Sequence, residues 1–307
     1  MRSEKEMFTL FDNIAKTDDR IRVMTLEGSR VNPNVKPDQW QDYDITFLVT
    51  DVNSYLDSDE WLSVFGDLLF MQKPEGMDLF PASMPTGWFS YLMLFSDGVK
   101  IDLTLVPLES KEEYFKQDPL IRILMDKDGI CPTLPAPSDE EFWVQKPSEA
   151  FVNDCANEFL FVSTYVARGL LRQELLFANW HMEEILRKEL HRMLGYLAGT
   201  RKGFPCNTGK RDKWLMNFLS NQESSLLLTC YNLGDMDAAW NALEAAMDLF
   251  ESAMKEVCAA LYGRSHLLFF HHHPFLVIGC GSFTYLNNVF LIFRRCLRIG
   301  FRSNELP

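Results

Sequence analysis

The sequence predicts an α+β protein, in which a mixed sheet with flanking helices is followed by a C-terminal helical bundle. Short apolar runs bounded by turn residues fill the first part of the chain. Long proline-free stretches rich in Leu, Phe, Glu and Arg follow from residue 148. Because 307 residues exceed the ~100–200 that one core usually organises, we expect domains at 1–135 and 148–262 and an atypical tail at 263–307.

Helical and strand-like segments alternate near the N-terminus. Apolar residues at helical spacing predict a helix over 4–16, and apolar runs predict strands over 21–26 and 43–50. The apolar residues of 51–70 would share one face of a further helix, which would cover one side of the sheet.

Two further apolar runs, 88–95 and 99–106, are separated by Ser96-Asp97-Gly98, and Asp-Gly between strands is a strong hairpin signal. Prolines over 131–147 mark a domain boundary. Helices are then expected over the ranges 151–168, 171–197 and 236–262.

Three aspartates suggest a metal site. Asp42 and Asp44 flank Tyr43, and the period of two puts both carboxylates on one face of a strand. Asp102 is a lone charge in an alternating apolar run and supplies a third carboxylate. Since Mg²⁺ prefers hard oxygen ligands, we predict a divalent metal site here. Taken singly, an Asp-x-Asp pair is more often a solvated strand edge than a metal site.

A glycine turn precedes this cluster. Gly28 follows the first strand, where the backbone must approach something closely. We expect Ser29 to meet phosphate oxygens and Arg30 to add positive charge from the turn. The alternative for Arg30 is a surface side chain without a ligand.

Composition narrows the function. A net charge of −13 and a pI near 5.0 argue against nucleic acid and favour a small cationic substrate. The charged N-terminus lacks an apolar leader, and seven cysteines show no C-x-x-C spacing, so we expect a cytoplasmic protein with reduced thiols.

The tail differs from the rest of the chain. Five arginines and one glutamate follow Gly263. The uncharged stretch 275–293 is short for a membrane span and contains two asparagines. We therefore favour an altered or out-of-frame C-terminus over a membrane anchor.

The order of Gly28-Ser29, Asp42-x-Asp44 and Asp102 resembles that of the polymerase-β-like nucleotidyltransferases. The flanking residues 23–30, 41–47 and 99–105 are similar to the aminoglycoside 6-adenylyltransferases, which modify streptomycin. Residues 155–159 and 162–170, and Gly209-Lys210 ahead of Lys213, resemble the helical domain of that family. The resemblance covers roughly residues 1–262 and then stops.

This resemblance implies an N-terminal nucleotidyltransferase domain, a helical substrate-binding domain and transfer of AMP from ATP to a hydroxyl of streptomycin. Pyrophosphate would be released and antibiotic resistance would result. Two Mg²⁺ ions would be held, one by Asp42 and Asp44 and the other touching Asp102, which acts as ligand or base. Gly28 and Ser29 would donate hydrogen bonds to the β and γ phosphates.

The second domain would contribute two residues. Lys210 would contact the triphosphate, or would be an exposed lysine at a helix start. Glu158 lies beside the apolar run 159–162 in a helix predicted to be buried, where an unpaired charge is costly. It would bind a cationic group of the aminoglycoside or serve as general base.

Two alternatives stay open. The acceptor could be another hydroxyl compound, such as a different aminoglycoside or a lincosamide, because substrate choice does not follow from the fold. The chain could also be a non-catalytic nucleotidyltransferase-fold protein that binds a partner or nucleotide.

Overall fold

The computed structural model describes residues 1–79 and 84–263. The chain divides into two units, and the boundary lies between Glu141 and Phe142. The atypical tail beyond Gly263, including the stretch 275–293, lies outside the described residues. Within the described ranges, no helix combines the length and apolarity that crossing a membrane requires.

A six-stranded mixed sheet is the frame of the first unit, with strand order β3-β4-β5-β2-β1-β6. β2 and β5 are parallel at its centre, and the other neighbouring strands are antiparallel. The strands are β1 (Ile21–Glu27), β2 (Tyr43–Val49), β3 (Leu68–Gln72), β4 (Phe89–Phe95), β5 (Lys100–Pro107) and β6 (Ile121–Asp126).

The helices of this unit are α1 (Glu4–Thr17), α2 (Asn53–Leu56) and α3 (Lys111–Tyr114). Ser3 and Glu6 form a reciprocal capping box that fixes the start of α1. Met7 and Phe11 on α1 are fully buried in the core that covers one face of the sheet. The predicted hairpin is present, because β4 and β5 pair around a turn in which Gly98 has φ +83°.

The prediction of a single helix over 51–70 is wrong. The segment forms α2, a 3₁₀ helix (Glu60–Phe65) and the edge strand β3. Gly66 has φ +118°, which ends the helical stretch and turns the chain into β3. Leu62 and Phe65 of the 3₁₀ helix are buried in the core, whereas Leu69 on the edge strand is 63% exposed, so the apolar pattern marked a buried face only as far as Phe65.

The second unit is helical. Its longer helices are α4 (Glu149–Leu171), α5 (Leu175–His181), α6 (Arg187–Lys202), α7 (Asn221–Thr229) and α8 (Met236–Tyr262), with a π-helical turn (Met182–Leu186) between α5 and α6. Phe159 on α4 and Phe250 on α8 stack with their ring centroids 3.8 Å apart in its core. Gly263 ends α8 with φ +67°. A mixed sheet followed by a helical region confirms the predicted fold class.

Candidate functional site

Three carboxylates converge at one end of the central parallel strand pair. The register of β2 and β5 places Asp44 directly opposite Asp102, so their side chains lie on the same face of the sheet. Asp42 lies just before β2. One oxygen from each carboxylate lies within 4.8 Å of the others. The structure therefore brings together the three aspartates that the sequence singled out.

The electrostatics of this cluster suit a cation. Burial, followed by the charges of Asp102, Asp42 and Glu27, raises the pKa of Asp44 to about 7. Asp102 Oδ1 is buried and has no hydrogen-bond partner in the described part of the chain. An orphaned buried oxygen in an all-oxygen cluster fits a hard divalent ion such as Mg²⁺.

Lys100 provides the positive charge that the cluster holds in this structure. Its Nζ donates hydrogen bonds of 2.6 Å to Asp42 Oδ2 and of 2.6 Å to Asp102 Oδ2. Burial lowers the pKa of Lys100, but the hydrogen bonds with Asp102 and Asp42 outweigh it, so the pKa lies above its ordinary value. Lys100 was not among the predicted site residues, although it lies two positions before Asp102.

Gly28 allows a carboxylate to approach the backbone. Its φ is +69°, and a Cβ at this position would lie 2.3 Å from Asp44 Oδ2. The predicted close approach is therefore present, but the group that approaches is Asp44. The Gly28 N–H donates to the Leu120 carbonyl at 3.1 Å, so the predicted hydrogen bond from this N–H to a phosphate does not agree with the structure. Ser29 follows with a hydroxyl that makes no hydrogen bond to any described residue.

Arg30 points into the protein. Its side chain is 6% exposed and lies over the Tyr43 ring, 3.8 Å from the centroid. Nε donates to the Asp42 carbonyl at 2.8 Å, and Nη2 donates to the Gln41 carbonyl at 2.7 Å. Nη1 contacts Glu4 at 3.3 Å. Arg30 thus fixes the segment that carries Asp42.

A fourth carboxylate, Glu27, extends the row on the same face because it pairs with Asp44 across β1 and β2. Glu27 Oε1 accepts hydrogen bonds from Thr46 at 2.5 Å, from Thr25 at 3.4 Å and from the Tyr114 hydroxyl. Burial raises the pKa of Glu27 despite these donors. Sequence reasoning missed this residue, because the row appears only when the register of the strands is known.

Glu158 lies on the exposed side of α4, so the expectation that its carboxylate is buried is wrong, although the other side of this helix packs in the core. Only Phe159 and Val162 of the apolar run are buried, whereas Phe161 is 59% exposed. In the described part of the chain Glu158 makes no hydrogen bond or ion pair. Its carboxylate is therefore accessible to a solute.

Lys210 lies in a tightly held loop of the second unit. Gly209, Arg211 and Asp212 all have positive φ, at +78°, +56° and +57°. Asp212 accepts a 2.9 Å hydrogen bond from Thr208 Oγ1 and lies 3.2 Å from His191 Nδ1. These contacts stabilise a backbone conformation that non-glycine residues rarely adopt.

This loop borders a cavity of about 610 Å³ within the second unit. Lys146, Arg192 and Arg211 are among the residues that line it. Lys210 itself is exposed, and its ammonium lies 5.4 Å from the centroid of the Phe142 ring. The loop therefore holds positive charge in an otherwise acidic protein.

Known proteins resemble this chain over most of its length. A family model described as streptomycin adenylyltransferase matches residues 1–265. The aminoglycoside 6-adenylyltransferase of Campylobacter jejuni is 48% identical over 261 residues, which are 85% of this chain and 90% of that protein. The aminoglycoside 6-adenylyltransferase of Bacillus subtilis (strain 168) is 44% identical over 262 residues, 85% of this chain and 92% of that protein. A crystal structure of an aminoglycoside 6-adenyltransferase from Bacillus subtilis, 35% identical, aligns with 99% of this chain and all of that chain at a TM-score of 0.43.

Proposed function

This chain belongs to the streptomycin adenylyltransferase family, and from that membership we propose that it transfers AMP from ATP to a hydroxyl group of streptomycin and releases pyrophosphate. The observation that carries the proposal is the cluster of Asp42, Asp44 and Asp102, whose oxygens lie within 4.8 Å of one another. Activity of this kind would confer resistance to the antibiotic. Because the reaction consumes ATP, the cytoplasm is its proposed location.

Asp42, Asp44 and Asp102 are the proposed ligands of two Mg²⁺ ions. A divalent ion held there would neutralise phosphate charge and lower the pKa of the attacking hydroxyl. Asp102 has one oxygen that no described residue hydrogen-bonds, and this oxygen can act as a ligand or accept the proton of that hydroxyl.

The turn after β1 supplies the proposed phosphate contact. The Ser29 hydroxyl makes no bond to a described residue and can donate to a phosphate oxygen. Gly28 contributes by letting Asp44 pack against the backbone. Arg30, which is buried, is better placed to hold the Asp42 segment than to touch the nucleotide.

Two residues of the second unit complete the proposal. Glu158 is exposed and unpaired among the described residues, as a residue that receives a guanidinium or ammonium group of the acceptor should be. Lys210 lies in a loop held in a strained conformation, and its exposed ammonium is available to a phosphate oxygen.

Pyrophosphate release from ATP and Mg²⁺ tests this function. The reaction should depend on streptomycin, and a second aminoglycoside and a lincosamide serve as rival acceptors. Asp44→Asn is the inactive control. Asp12→Asn is the matched control, because Asp12 lies on α1 and its one ion pair among the described residues is with exposed Lys16. Pyrophosphate release with a rival acceptor but not with streptomycin would show that the rival is the substrate. Silence with every acceptor, in a folded sample that binds ATP, would favour the non-catalytic alternative.

A further inference from the structure

Lys100 occupies the position between two carboxylates where a metal ion would be expected. Its Nζ lies 2.6 Å from Asp42 Oδ2 and 2.6 Å from Asp102 Oδ2. Lys100 is the first residue of β5, and alternation along the strand puts it on the same face as Asp102. The start of β5 therefore positions Lys100 beside Asp102, and the loop before β2 brings Asp42 to the same ammonium.

The ammonium offsets repulsion within the cluster. Three carboxylates with oxygens inside 4.8 Å destabilise one another when all are ionised. A single positive charge hydrogen-bonded to two of them lowers this cost. Lys100 thus stabilises the close approach of Asp42 and Asp102 through its two hydrogen bonds.

A divalent ion that binds Asp42 and Asp102 competes with Nζ for the same two oxygens and repels the ammonium. The Lys100 side chain is 43% exposed, so it has room to leave. It also lines a surface cavity of about 400 Å³, together with Glu4, Asp38 and Trp40. Release of the ammonium would leave a positive charge at the edge of the metal site.

We propose that Lys100 is a resident counter-ion, which a divalent metal displaces and which then pairs with the phosphate oxygens that arrive with the metal. This inference rests on the proposed function. The metal alone has to displace Lys100 without offering it a new partner, whereas the metal–nucleotide complex supplies one. Metal and nucleotide should therefore bind cooperatively, and Lys100 should be the source of the cooperativity.

The test is a pair of titrations on wild type and Lys100→Met by calorimetry, one with Mn²⁺ alone and one with Mn²⁺ plus α,β-methylene ATP. Because Lys100→Met removes the competing charge, its affinity for Mn²⁺ alone should be about fivefold higher than that of wild type. The same change should lower the affinity for the Mn²⁺–nucleotide complex by about fivefold or more, because Met cannot pair with the phosphate oxygens as the Lys100 ammonium would. Opposite shifts distinguish exchange from a structural role, which would weaken both.

Lys73→Met is the matched control, because Lys73 pairs with Asp59 at 2.5 Å with a similar side-chain exposure of 35%. It should leave both affinities unchanged. Lys100→Arg keeps the charge and should keep nucleotide-complex affinity near that of wild type, even if Lys100→Met folds poorly. Weaker Mn²⁺ binding in a folded Lys100→Met would overturn the inference and leave the proposed function standing. Absence of Mn²⁺ binding in wild type would instead contradict the assignment of the three aspartates as metal ligands, and with it the proposed function.

Discussion

Asp44 lies opposite Asp102 and against Gly28, so its carboxylate is confined on two sides. Asp44→Asn or Asp42→Asn should lower turnover at least about a thousandfold, because each removes a proposed metal ligand. The metal-free unfolding temperature of Asp44→Asn should stay the same or rise, since this change also removes a buried negative charge crowded by its neighbours. Steady-state pyrophosphate release and thermal unfolding measure the two effects. Normal turnover in either variant would exclude that residue as a ligand.

The raised pKa of Asp44 makes the site sensitive to pH. Because the folded-state pKa of about 7 exceeds the ordinary 3.8, protonated Asp44 stabilises the metal-free fold below pH ~4, and this stabilisation is lost as pH rises to about 7. A metal must displace that proton. Mn²⁺ affinity should therefore rise by up to about tenfold per pH unit towards pH 7 and then level off.

Calorimetric Mn²⁺ titrations between pH 5.5 and 8 check this dependence. Asp44→Asn has no proton to displace and should show a flatter profile. A wild-type affinity that does not change between pH 5.5 and 7 would contradict the assignment of Asp44 as the titrating ligand.

Much of the site was predictable at the residue level, because period-two spacing and a lone charge in an apolar strand are local signals. Asp42, Asp44 and Asp102 were found in this way. Glu27 and the bridging contacts of Lys100 were not, because they depend on which strands pair and in what register. The burial of Glu158 was misjudged, since an uninterrupted apolar run on a helix reaches both the core and the solvent.

Among the elements, α4 provides two phenylalanines two positions apart on different sides. Phe159 is 1% exposed and stacks on Phe250, whereas Phe161 is 59% exposed. Phe159→Ala should lower the free energy of unfolding by about 3–5 kcal/mol through loss of burial and a residual cavity. Phe161→Ala should change it by less than about 0.5 kcal/mol. Urea unfolding monitored by circular dichroism measures both, and equal effects would contradict the packing of α4 against α8.

Long helices were the easiest elements to predict. The range expected for α8, 236–262, matches the observed helix (Met236–Tyr262), because Asp235 and Gly263 give clear start and stop signals. The prediction of one helix over 51–70 failed because Gly66 ends the helical stretch before β3 begins. Pairing of β3 with β4 then determined the structure of the rest of the segment.

For the molecule as a whole, the family match ends at residue 265, close to the end of α8. A chain that ends at Gly263 should keep its unfolding temperature within about 2 °C and its rate of pyrophosphate release. The reason is that α8 has its own C-cap, in which the Gly263 N–H donates to the Ala259 carbonyl. Thermal unfolding and the release assay compare it with the full chain. Insoluble protein or a large drop in unfolding temperature would show that the residues beyond Gly263 are needed.

Asp44 and Asp102 face each other across the parallel pair of β2 and β5, and β3 and β4 lie between those strands in the chain. Such non-local pairing carries a large loop-closure cost and forms slowly. Contacts absent from the folding transition state change the unfolding rate alone. If the β2–β5 pair forms after the folding transition state, a saturating divalent ion will slow unfolding of the first unit and leave its refolding rate unchanged. The ion would then raise the kinetic stability of that unit.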